Sequence, residues 1–236
     1  MLIGYLIVVI LAALALTRVP SAVRGRNVLI SLSAAAIVIA FGLITPNVYG
    51  NLDRLSPVPN IVDLVAKLIL FTGLLLAGTQ VARAWDAPVT QRRISGRVGT
   101  IVFLAVFIVE VIIFAVVHDA GRAVDLANNL SSPLVRVYST LATAYPAYIA
   151  GLLLPHVRKG LSSPKRSTRA TSIFLFVGFV LAIARFALGL VTLFAPETYY
   201  VGQVVSGVAA IFVALGLATA FFARVGRRRQ TQRQFS

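Results

Sequence analysis

Seven apolar runs succeed one another along the chain, near 2–17, 28–45, 61–79, 99–118, 133–154, 172–194 and 200–222. A helix of about 20 apolar residues crosses the hydrocarbon core of a bilayer, and each run reaches or approaches that length, with 2–17 and 28–45 the shortest. A helix also satisfies its own backbone where no water is present. The expected fold is all-α: a polytopic transmembrane helix bundle with seven predicted spans.

The connections between the runs set the orientation. Four are basic: 18–27 with Arg18, Arg24 and Arg26; 80–98 with Arg83, Arg92, Arg93 and Arg97; 155–171 with Arg158, Lys159, Lys165, Arg166 and Arg169; and the tail with Arg224, Arg227, Arg228, Arg229 and Arg233. The connections that alternate with them hold Asp53 with Arg54, then Asp119, Arg122 and Asp125, then Glu197. Basic connections stay in the cytoplasm, which puts the N-terminus outside and the C-terminus inside. An odd number of spans requires the same result. The formal net charge of +15, from 22 Lys and Arg against 7 Asp and Glu, is thereby explained by one membrane face, and nucleic acid is disfavoured as a partner.

Ala13 and Ala15 have the small-x-small spacing of a signal-peptide cleavage site, but no basic residue precedes the first run. The first run is therefore expected to be a retained span. Two regions follow: a seven-span transmembrane domain over 1–223 and a basic cytoplasmic tail over 224–236. The predicted location is a cell membrane, most simply the bacterial cytoplasmic membrane, with the tail meeting anionic inner-leaflet lipids.

The sequence has no zinc spacing, glycine-rich nucleotide loop or HExxH. It has no cysteine and only two histidines, so neither a thiolate site nor a histidine-rich metal site is available. No cofactor or metal is assigned. Tyr49, Tyr199 and Tyr200 fall near predicted outer boundaries, and Trp85 near an inner one, as in an interfacial aromatic belt.

Charges inside the runs are costly unless paired, which singles out Lys67, Glu110 and Arg185. At 1.5 Å per residue they lie about 10, 12 and 13 Å below the outer ends of their spans. Their common depth permits a Lys67–Glu110–Arg185 network, with Asp63 as a second carboxylate, inside a polar cluster in the outer half of the bundle: Asp63, Lys67, Glu110, Tyr138, Arg185 and Gln203. In "PNIVDLVAKL" Asn60 is expected to cap the third span, with Asp63 in a capping-box-like position and Lys67 four residues further on. In the last span Gly202, Ser206, Ala210, Ala214 and Ala218 repeat every four residues. Such a seam lets another backbone approach, either within the bundle or from a membrane-protein partner or second copy.

The stretch "VYGNLDRLSPVPNIVDLVAKLIL", followed by a tyrosine-bearing fifth span and a basic inner connection, resembles the N-terminal membrane region of an uncharacterised actinobacterial family of multi-helix integral membrane proteins. In that family an Asp precedes a Pro-Asn pair before the next span; the matching positions are Asp53, Pro59 and Asn60. The resemblance implies a multi-helix membrane module and supplies no catalytic residues. Glu110 as a base and Tyr138 as a donor lack an accompanying nucleophile, so no catalytic residue is assigned. Two roles compete: a membrane scaffold or sensor component, or a small-solute or ion transporter or channel that uses the polar cluster.

Overall fold

A computed structural model describes the backbone at residues 2–16, 28–119 and 122–234, and side-chain surroundings over most of that length as far as residue 220. The basic connection 18–27 and the side chains of the tail lie outside the described residues. Among the described residues the chain is all-α, with nine α-helices: α1 Leu2–Leu16, α2 Val28–Leu43, α3 Pro46–Leu55, α4 Ile61–Ala84, α5 Pro88–Ser95, α6 Arg97–Val117, α7 Pro133–Gly160, α8 Arg166–Thr192 and α9 Tyr199–Gln234. Two short 3-10 segments, Val124–Asn129 and Pro196–Thr198, join α6 to α7 and α8 to α9.

Five segments are long and apolar enough to cross a membrane: Ile61–Ala84, Pro88–Val117, Pro133–Gly160, Arg166–Thr192 and Pro196–Ala220. A sixth is present if α2 and α3, bent by 79° across a short break, form one broken span. Helix length and hydropathy thus make this a multi-pass membrane protein. The expected count of seven also needs α1, whose 15 residues extend about 22 Å, less than the roughly 30 Å hydrocarbon core.

The connection 45–60, rich in turn-forming residues, contains the helix α3. Pro46 supplies a fixed φ where the helix starts and needs no amide hydrogen there. Tyr49 and Asp53, four residues apart, point inward from α3 and are buried. Tyr49 and Tyr199 are therefore not belt residues, being 4% and 3% exposed, whereas Tyr200 is 67% exposed. The connection 80–98 likewise contains α5, anchored by the fully buried Ile94.

The core of the bundle lies between α4, α7 and α8, where Phe71, Tyr145, Leu153 and Leu175 cluster. Phe71 and Tyr145 meet with ring centroids 5.3 Å apart. The most extensive helix–helix contact among the described residues is α8 against α9; α2 lies along α4, and α1 packs on α2 and α9. At Gly178 of α8 an added Cβ would come within 2.7 Å of Val213 Cγ2 and 2.9 Å of the Val213 nitrogen, so the backbones themselves approach. At Gly216 of α9 it would meet the Leu175 side chain at 2.6 Å. In lipid, where apolar surface gains little from leaving its solvent, such close packing carries helix association.

This contact makes a paired prediction. Gly178→Ala forces α8 and α9 apart and is expected to destabilise by about 1–3 kcal/mol, read as a lower melting temperature of the purified protein in detergent. Gly151→Ala, at a position with open space around it, should leave the melting temperature unchanged or slightly raised because alanine favours the helix.

A buried charge cluster beside an intramembrane cavity

The entrance to α4 is organised by Asn60, which is fully buried with φ 63°. Asparagine tolerates this left-handed backbone better than most residues. It occupies the expected N-cap position of α4, but its side chain makes no cap hydrogen bond to the helix. Instead Oδ1 accepts from the Tyr49 hydroxyl at 2.6 Å and the Ala123 amide at 3.0 Å, and Nδ2 donates to the His118 carbonyl at 2.6 Å. One side chain thus ties α3, the start of α4, the end of α6 and the connection after it. Beside it Arg122 hydrogen-bonds the Asp53 carbonyl and lies 3.4 Å from the carboxylate of that buried residue.

Nearly two turns into α4, Lys67 pairs with Asp63 Oδ2 at 2.9 Å and with Asp125 Oδ1 at 2.8 Å. Its ammonium also sits 3.4 Å from the centroid of the Tyr138 ring, in cation–π position. Asp63 is not a capping-box residue: Oδ1 accepts from the Asp125 amide at 2.9 Å and Oδ2 from the Tyr138 hydroxyl at 2.8 Å. On Asp125, Oδ2 accepts from the Ser139 hydroxyl and, at 3.4 Å, from Gln203 Nε2. Each charge is buried and each has several directed partners, the condition under which ion pairs persist away from water.

The Lys67–Glu110 contact of that network is not made. Glu110, fully buried on α6, lies within electrostatic reach of Lys67, but neither of its oxygens has a hydrogen-bond partner among the described residues. The ammonium is already taken by two carboxylates and an aromatic face. Asp125 takes the place expected of Glu110, although its position between α6 and α7 reads as a solvated loop. It reaches the bundle because Asp125 and Leu126 both adopt left-handed backbone, with φ of 55° and 54°. That conformation costs about 1–3 kcal/mol per residue. Leu126 is fully buried against Leu64, Phe114, Val135 and Tyr138, which holds the turn in place.

Arg185 forms a separate arrangement. It is 4% exposed, donates from Nε to Ser206 Oγ at 3.1 Å, and has no ion pair among the described residues; its Nη1 has no hydrogen-bond partner. The guanidinium occupies a slot between two glycines. A Cβ on Gly202 would lie 2.9 Å from Cζ, and one on Gly189 3.4 Å from Nη1. The small-residue stripe of α9 is therefore divided along its length. Gly202 and Ser206 receive Arg185, Ala210 and Ala214 line a cavity, and Ala218 is buried. The backbone approach to α8 runs along a neighbouring face, through Ala209, Val213 and Gly216.

That cavity, about 470 Å³, has apolar walls from α1, α2, α4 and α9, including Leu11, Phe41, Leu74 and Leu217. Asp63, Lys67, Asp125, Arg185 and Gln203 also line it, so the charge cluster forms part of its wall. Ser139 and Ser206, uncharged and absent from the expected polar cluster, line it too. No group of three or more His, Asp or Glu among the described residues is arranged to hold a metal ion. No known protein family, curated protein or solved structure matches the chain.

Removing the central cation leaves two buried carboxylates facing one another. Lys67→Met is expected to destabilise by about 3–5 kcal/mol, measured by thermal melting in detergent, and to expose the 122–130 connection to limited proteolysis. Adding Asp125→Asn to that variant should recover part of the loss, because one uncompensated charge is removed with its partner.

Proposed function

We propose that the chain is a seven-span protein of the bacterial cytoplasmic membrane, N-terminus outside and C-terminus inside, acting as a sensor or scaffold component. The observation that carries this reading is Asp125. It belongs to the connection assigned to the outer face, yet its carboxylate is an ion-pair partner of Lys67 within the bundle. Any change in the position of that connection must break or remake a buried ion pair, so an event at the outer face is energetically coupled to α4 and α7. Topology is supported by the alternation of basic and sparse connections. The tail supports contact with anionic lipids, and the resemblance to a multi-helix membrane module accords with this role while adding no functional residue.

A transporter or channel is the second reading, favoured by the cavity that touches the cluster. Against it, the donors of Lys67 and the oxygens of Asp63 and Asp125 are engaged with one another, which leaves little capacity to bind and release a passing ion.

The chain has no cysteine, so single cysteines report topology without background. Ser131→Cys should react with a membrane-impermeant maleimide added to intact cells, and Ser162→Cys only after permeabilisation; the reverse pattern rejects the orientation. Proteoliposomes containing a trapped pH-sensitive dye should show no proton flux above that of empty vesicles. A flux abolished by Glu110→Gln, with the protein still assembled, would reject the sensor or scaffold account.

A further inference from the structure

Arg185 is a buried cation whose needs are not met within the protein. Burying an unpaired charge is strongly unfavourable, and a guanidinium is stabilised by acceptors that meet its fork of donors. Here Nε has Ser206, and Nη1 has nothing among the described residues. The nearby carboxylates do not serve it. Asp125 is within electrostatic reach but forms no ion pair with Arg185, its oxygens being taken by Lys67, Ser139 and Gln203. Glycines at 189 and 202 leave room for the flat guanidinium and for little else on its two sides. The residue lines the cavity, whose remaining walls are mostly aliphatic.

From this juxtaposition we infer that the cavity binds an amphiphile, with an anionic oxyacid head at Arg185 and a single aliphatic chain in the apolar part of the cavity. A volume of about 470 Å³ falls within the usual range for small-molecule sites, about 300–1,000 Å³. A free inorganic anion would leave the apolar walls unfilled, and a neutral lipid would leave the guanidinium without a counter-charge. The inference deepens the sensor reading by naming what the bundle would sense. It has its own test, since neither cysteine labelling nor proton flux depends on this ligand.

The test places the full-length protein in lipid nanodiscs and counts 1:1 adducts by native mass spectrometry during titration with dodecyl phosphate, dodecanol or inorganic phosphate. Dodecyl phosphate should saturate at a concentration about ten-fold or more below dodecanol, the gain expected from one charge-assisted hydrogen-bonded pair. Inorganic phosphate should give no adduct. Arg185→Gln should bring dodecyl phosphate down to the level of dodecanol. Ala214→Leu, which fills apolar space without touching a charge, should weaken both amphiphiles. If Arg185 only balances the excess negative charge of Lys67 with Asp63 and Asp125, wild type will bind dodecyl phosphate and dodecanol alike, and the inference fails. It fails also if inorganic phosphate binds as well as dodecyl phosphate, or if Ala214→Leu leaves the adducts unchanged. The Ala214 result holds even where Arg185→Gln does not assemble.

Discussion

The Asn60 end of this bundle depends on one ammonium group. Lys67 is buried where an unpaired charge is not tolerated, and its two carboxylate partners come from different levels of the chain. Asp63 is one turn away on the same helix, a local contact that forms with the helix itself. Asp125 is 58 residues away and becomes a partner only when the connection after α6 folds onto the bundle. Tyr138 then closes the arrangement from α7, with its ring on the cation and its hydroxyl on Asp63. A segment of irregular backbone can lie at this depth because its polar groups are satisfied by protein rather than lipid.

The apolar runs made the helical architecture legible, and most run boundaries fall within a few residues of the helices. Of the residues grouped by expected depth, Asp63, Lys67, Tyr138 and Gln203 gather around Asp125. Depth could not say which groups touch. Glu110 and Arg185 share that depth without joining the network by contact, because helix rotation decides pairing and a single sequence does not encode rotation visibly. Asp125 was missed since it lies among turn-forming residues, and its inward position relies on left-handed backbone at two non-glycine residues. The hint was present in its flanks: Val124 and Leu126 are apolar neighbours that an exposed loop has no use for.

Glycine and alanine in α9 show how a single compositional signal divides into separate tasks. Gly202 makes room for a guanidinium, Gly216 for a leucine of α8, and Ala210 and Ala214 for empty volume. A repeat of four residues marks closeness of some kind, but the neighbouring element decides whether a helix, a charged side chain or a cavity occupies the space.

The fastening at Asn60, Lys67 and Asp125 lies wholly toward one end of α4. The rest of that helix, 24 residues and about 36 Å long, is held differently: Phe71, Val81 and Ala82 are buried in the apolar core. Directed bonds fix the rotation of a helix about its own axis, because each donor must meet its acceptor in line. Apolar packing is non-directional and accepts whatever face is presented. The polar end of α4 thus sets which residues the remainder turns toward its neighbours.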